Sequence, residues 1–291
     1  MGYVFTPREF EDGKIPTPED YRKATRMLRD SLKDLSDKGV IHGANINGSS
    51  LHENGVVGSD VDVLILTNVD NAEDELRRLR RDVREETYVP LDLITIPMWM
   101  AQTGNHDVGR LYATYLQEFC RDGIVGNDPI VALTPNEDWE SPPGEVLKRF
   151  KSQLLRLSKQ RANVREEFDE DHCKLLERLM RQPIYAAIDM LRLRGKNRYP
   201  SRKGKPLSKE ECLILYECEF PELSRDCKGD LVKITRLRHR YREFLSIREA
   251  KIPRQYVELL RMVDSAYPSA TRVIAMNLDY LHSNFSSFHQ E

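Results

Sequence analysis

Apolar residues recur along the first third of the chain in two rhythms, and the changes between them mark out the elements. Between residues 18 and 38, Tyr21, Ala24, Leu28, Leu32 and Leu35 fall at helical spacing, which makes one buried stripe on a helix. Thr17 stands at the cap position, Pro18 suits the first helical residue, Glu19 and Asp20 complement the dipole, and Gly39 ends the segment. Val40 to Ile46 then reads as a strand. In Asp60 to Thr67 the alternation sends Asp60, Asp62, Leu64 and Leu66 one way and Val61, Val63 and Ile65 the other. Beyond its carboxylates this strand is apolar on both faces, as expected of one covered on two sides. A second helix is predicted over 72–86, capped by Asn71. Leu76, Leu79 and Val83 point inward, and a run of arginines from Arg77 to Arg84 forms an outer face paired with local acids. Val89 to Ile96 returns to strand character and carries a single carboxylate, Asp92.

The helical rhythm resumes over Asp107 to Arg121, with Leu111, Tyr115, Leu116 and Phe119 as its stripe, and Ile124 begins a short edge strand. A turn-rich acidic stretch over 134–145 marks a domain boundary. From Glu145 onward the pattern is helical, with helices predicted near 145–161, 171–194, 208–218, 229–247, 253–266 and 268–282; Pro183 should kink or divide the second. Arg192 to Lys205 reads as a basic loop. The expected fold class is α+β: a small mixed β-sheet backed by helices over residues 1–138, then an all-α, basic domain over 139–291.

Composition refines this picture in three ways. The chain has 291 residues, 40% of them hydrophobic and 32% charged, so real cores and a well-solvated surface are both available. No apolar run reaches the roughly 20 residues of a membrane helix, the N-terminal stretch has neither the basic start nor the apolar core of a secretory signal, and five cysteines without a C-x-x-C pair suit reduced thiols. The expected setting is therefore cytoplasmic, with no membrane partner. The net charge of −2 hides a division: residues 1–140 hold 15 Lys and Arg against 26 Asp and Glu, and residues 141–291 hold 30 against 21. The basic second half either attracts a polyanion such as RNA or complements the acidic first half.

The candidate chemistry lies between Asn47 and Asp92. Asp60 and Asp62 project from one strand face, and a lone carboxylate within a strand, such as Asp92, costs several kcal/mol to bury unless it is paired or metal-bound. Hard oxygen ligands of this kind suit Mg²⁺, which takes one or two carboxylates and completes its shell with water and substrate phosphates. Asn47-Gly48-Ser49-Ser50 is a turn whose glycine admits a close backbone approach and whose serines and amides can cradle phosphate oxygens. A helix start is predicted over Ser50 to Asn54, where its amides would aid an anion.

Gly48-Ser49, ten intervening residues, Asp60-Val61-Asp62-Val63 and a third carboxylate, Asp92, on a later strand together resemble the DNA polymerase beta-like nucleotidyltransferase superfamily, in its stand-alone members with a helical second domain, antibiotic nucleotidyltransferases among them. Asn47 departs from the pattern, which usually has an apolar residue before the glycine. Gly204-Lys205-Pro206-Leu207-Ser208-Lys209-Glu210 is similar to a stretch in the helical domain of several such proteins. The resemblance implies that Gly48 and Ser49 hold the β- and γ-phosphates of an NTP. Ser50 and Ser59, at the two ends of the intervening loop, count with them as nucleotide-binding candidates. Asp60 and Asp62 would bind the metal that carries the triphosphate, and Asp92 would complete a second metal site and favour loss of the acceptor's proton. The implied activity is a two-metal, Mg²⁺-dependent transfer of NMP, with ATP the expected donor and AMP the group moved, to a hydroxyl acceptor with release of pyrophosphate. A small-molecule acceptor such as an antibiotic comes first, with RNA (such as a tRNA 3′ end) or a protein side chain as alternatives. An antitoxin-like regulatory protein that keeps the fold without turnover is the non-enzymatic reading.

Overall fold

The computed structural model describes residues 3–48, 59–68, 72–164, 170–195, 198–246 and 252–288. Ser49, Ser50, the helix start expected over Ser50 to Asn54, and the Asn71 cap lie outside the described residues. The chain divides into two compact units, one formed by Tyr3 and Gly13–Glu140, the other by Val4–Asp12 and Ser141–Glu291. A short helix α1 (Pro7–Glu11) therefore lies in sequence between the two segments of the first unit but belongs to the second.

The first unit opens with α2 (Pro18–Asp37), started as its sequence requires. The Thr17 hydroxyl accepts from the Asp20 amide at 3.3 Å, and the Asp20 carboxylate accepts from the Thr17 amide at 2.7 Å, which satisfies two orphan donors of the first turn. Strands β1 (Ile41–Asn47) and β2 (Val61–Thr67) pair antiparallel. Helix α3 (Ala72–Thr87) then carries the chain over to β3 (Leu91–Pro97), which lies parallel to β2. After α4 (Met98–Thr103) and α5 (Arg110–Phe119), the short β4 (Ile124–Gly126) pairs with β1, and the unit ends with the single turn α6 (Glu137–Glu140). The sheet order is β3-β2-β1-β4, a small mixed sheet as expected.

Both faces of this sheet are covered. Val61, Val63 and Ile65 of β2 join Ala24, Leu28 and Leu32 of α2 and Leu76, Leu79 and Val83 of α3 in one core. Leu64 and Leu66, one residue out of phase, join Ile96, Ala101, Ala113 and Leu116 beneath α4 and α5 in another. The period of 2 in β2 thus feeds two cores at once, and a slip of one residue would exchange them. The side containing Leu64 and Leu66 is also the side of Asp60 and Asp62.

The second unit is helical: α7 (Pro142–Asn163), α8 (Glu170–Arg194), α9 (Lys209–Glu219), α10 (Pro221–Ser246) and α11 (Ile252–Ser283), joined by α1. Helix α8 is its axis. Leu175, Leu176, Leu179, Ile184, Ala187, Ile188 and Met190 are all buried, and residues on every side of a helix can be buried only when other helices surround it. Helix α1 is tied in by the Phe5 amide, which donates to the Tyr241 hydroxyl at 2.9 Å, and by Phe10, whose ring lies 4.7 Å from that of Phe244. The segment expected as a loop, Arg192 to Lys205, ends instead in a small hairpin, β5 (Ser201–Arg202) with β6 (Lys205–Pro206). Lys203 and Gly204 both have positive φ, the conformation that a two-residue turn needs to match strand twist.

The differences at helix ends have local causes. Helix α10 starts at Pro221, eight residues before the expected position, because proline suits a first turn and Gly229 is tolerated inside. The two helices expected on either side of Pro268 form one, α11, as does α8 across Pro183. A proline forfeits one backbone bond, and burial of the helix faces outweighs that loss here.

Candidate active site

Strand pairing builds the site. Asp62 and Asp92 are in register across the parallel β2–β3 pair, so their side chains leave the same face of the sheet side by side. Asp60, two residues before Asp62, shares that face. One ligand oxygen from each of Asp60, Asp62 and Asp92 lies within 4.8 Å of the others. Asp60 is 8% exposed, while Asp62 and Asp92 are half-buried. At such a spacing two full carboxylate charges repel by about 3 kcal/mol at an effective dielectric constant near 20.

The frame around the carboxylates is fixed from both cores. Tyr21 of α2, itself buried, donates its hydroxyl to the Ser59 carbonyl at 2.6 Å, and the Val61 amide donates to the Pro90 carbonyl at 2.9 Å. These two bonds hold the start of β2 against α2 and against the entry to β3. On the other side β1 ends at Asn47, opposite Asp62 in the antiparallel register. Gly48 follows with φ +94°, and a Cβ placed there would lie 3.1 Å from Asp62 Oδ2. An L side chain is disfavoured at that φ, and the space it would take is the flank of the carboxylate.

The apolar stripe expected on α5 leaves out Tyr112. Its hydroxyl donates to Asn47 Oδ1 at 3.2 Å. Burial, and after it the Asp62 carboxylate, hold the Tyr112 phenol above its ordinary pKa, with Asp92 adding to the effect and Asn47 opposing it. Cys120, at the end of the same helix, is pushed up to about 11, chiefly by burial and against the stabilising contacts of Tyr115 and the Gly48 amide. Both groups are thus neutral at physiological pH beside a cluster of anions. A tyrosine one position off the apolar stripe is the only signal the sequence offers for Tyr112.

Of the expected site residues, Asp60, Asp62 and Asp92 come together, Gly48 adjoins them, and Ser59 sits at the foot of β2. The donor set fits a hard divalent cation: three carboxylates on one surface, beside a glycine that leaves the approach open. Among the described residues no helix is long and apolar enough to cross a membrane, and none of the five cysteines is in a disulfide.

No protein-family model and no curated protein matches this chain. Among solved structures, it is similar to spectinomycin adenyltransferase AAD(9) from Enterococcus faecialis, crystallised with ATP and spectinomycin. The identity is 12% and the TM-score 0.41, over 87% of this chain and 99% of that one.

Proposed function

We propose that this chain is a Mg²⁺-dependent nucleotidyltransferase that moves AMP from ATP to a hydroxyl of a small-molecule acceptor and releases pyrophosphate. The observation that carries this reading is the convergence of Asp60, Asp62 and Asp92 beside the Gly48 turn. Three carboxylates held together on one surface repel one another unless a cation lies between them, and the adjoining turn, in the spacing of the nucleotidyltransferase pattern, favours a nucleoside triphosphate as the cation's companion.

Asp60 and Asp62 would hold the ion that accompanies the triphosphate, and Asp92 would complete a second ion's ligands. When bound, such ions neutralise phosphate charge and align an in-line displacement. The chain's own residues do the rest. Gly48 lets the backbone approach the nucleotide, and Ser49, Ser50 and Ser59 are assigned to its phosphates. Asp92 favours departure of the acceptor's hydroxyl proton, which passes to its carboxylate or through it to solvent. The acceptor oxygen then bonds to the α-phosphorus, the bond from that phosphorus to the bridging oxygen breaks, and the electron pair leaves with pyrophosphate. Acceptor recognition is assigned to residues 139–291. The excess of acids in residues 1–140 favours a cationic acceptor near the carboxylates, and the excess of bases in residues 141–291 keeps RNA as the second reading.

Incubation with each of the four α-labelled NTPs, Mg²⁺ and separate pools of hydroxylic small molecules, total RNA and protein tests this assignment. Label from ATP is expected in the small-molecule pool. Label in the RNA pool alone would exchange the acceptor class, and failure to bind any NTP with Mg²⁺ would overturn the enzymatic reading. Gly48→Ala is a finer probe: a methyl group at positive φ beside Asp62 should cut transfer by about a hundredfold while destabilising the fold by only about 1–2 kcal/mol. Initial rates and urea unfolding read the two effects separately.

A further inference from the structure

The one departure of this chain from the nucleotidyltransferase pattern, Asn47 in place of an apolar residue, has a structural counterpart in Tyr112. We propose that Asn47 and Tyr112 form a positioning pair: the Tyr112 hydroxyl fixes the Asn47 amide, and through it the end of β1, the Gly48 turn and the neighbouring Asp62 carboxylate, in the arrangement that binds a divalent cation. This rests on reading the three aspartates as a metal site.

Asn47 is 2% exposed, and an amide buried without partners costs roughly 1–3 kcal/mol. Both ends of this one are engaged. Its Nδ2 donates to the Asn45 carbonyl at 3.3 Å, and its Oδ1 accepts from Tyr112 at 3.2 Å. The Asn45 carbonyl sets the amide's orientation, because a flipped group would put its acceptor against that carbonyl, and the Tyr112 hydroxyl then donates to the Oδ1 left facing it. Asn47 is the β1 residue facing Asp62, and Gly48, which flanks Asp62 Oδ2, is covalently next to it. Whatever orients Asn47 therefore orients the strand end against which Asp62 packs.

The same helix is tied to β1 a second time, two residues back on the same face. Asn45, also buried, donates Nδ2 to the Cys120 carbonyl at 3.1 Å. Two amides on one face of β1 thus clamp the two ends of α5. With its proton committed to Asn47, the Tyr112 phenol offers the carboxylates no donor of its own. It acts on the site through Asn47, and it is a positioning residue rather than a catalytic one.

The test uses the full-length protein with Tyr112→Phe, which deletes only the hydroxyl, Asn47→Val, which restores an apolar strand residue, and the double variant. Mn²⁺ alone is the probe, titrated by electron paramagnetic resonance, with kcat and KM for ATP measured in parallel. Each single variant should weaken Mn²⁺ binding by about tenfold, the range found when a ligand's supporting hydrogen bond is removed. Each should lower kcat/KM for ATP comparably, and the double variant should be no worse than the more affected single one. Unchanged Mn²⁺ affinity in Tyr112→Phe, or effects that multiply in the double variant, would overturn the pair. Tyr112→Phe decides alone if Asn47→Val does not fold. If Mn²⁺ binds and responds to Tyr112→Phe while no nucleotide is transferred, the pair stands and the transferase reading falls. If the wild-type protein binds no Mn²⁺, the pair falls with the metal site.

Discussion

Asp62→Asn is expected to reduce nucleotidyl transfer by at least about a thousandfold, roughly 4 kcal/mol of transition-state stabilisation, without loss of secondary structure. Asp62 is in register with Asp92 on one side and Asn47 on the other, and Gly48 flanks its Oδ2. An amide keeps its size and loses its charge, so the two remaining carboxylates face a ligand that no longer helps to hold a cation. The companion observation is thermal. Millimolar Mg²⁺ with ATP should raise the melting temperature of the wild type by mass action and leave that of Asp62→Asn nearly unmoved. Rate measurements under saturating ATP, with circular dichroism as the check on folding, give the result. Activity within tenfold of wild type would remove Asp62 from the site.

The second large effect belongs to the helical unit. Asp189, on the buried axis helix α8, is fully buried and accepts from Arg149 through both carboxylate oxygens at 2.9 Å, and from Arg192 at 2.6 Å. Glu145 completes the network on the far side of Arg149. Asp189→Ala removes the shared counter-charge of two guanidinium groups, Arg192 among them almost wholly buried. Breaking a buried ionic network from one side costs about 3–5 kcal/mol, and the far-UV circular dichroism midpoint in urea should fall accordingly. The control is the exposed pair of Arg161 and Asp264, where Asp264→Asn should cost no more than about 1 kcal/mol. Equal effects from the two substitutions would show that burial does not set the worth of the Asp189 network.

Much of the first unit could be read from residue order. The stripe from Tyr21 to Leu35 and the alternation in β2 are local patterns, and each maps directly onto a core: odd residues of β2 toward α2 and α3, even residues toward α4 and α5. Asp92 could be singled out because a carboxylate amid VPLDLITI breaks an apolar strand, and its meeting with Asp62 follows from parallel pairing. What stayed hidden depends on contacts between elements distant in sequence. Tyr112 acquires a role only because α5 crosses the end of β1, 65 residues earlier in the chain. The Asp189 network joins residues 40 positions apart, and no periodicity marks it. Helix α1 carries a capping box of Thr6 and Glu9, yet its five residues are too few for a stripe to show. Helix α4, six residues long, is hidden for the same reason.

The most direct measurement of the central claim is which phosphorus of the donor travels. With ATP labelled at the α-position in one reaction and at the γ-position in another, Mg²⁺ and the small-molecule pool, α-label should appear in the acceptor and γ-label in pyrophosphate, in equal amounts and only when Mg²⁺ is present. Release of γ-label as free phosphate, or transfer of γ-label to the acceptor, would contradict the assignment of Asp60, Asp62 and Asp92 to nucleotidyl transfer.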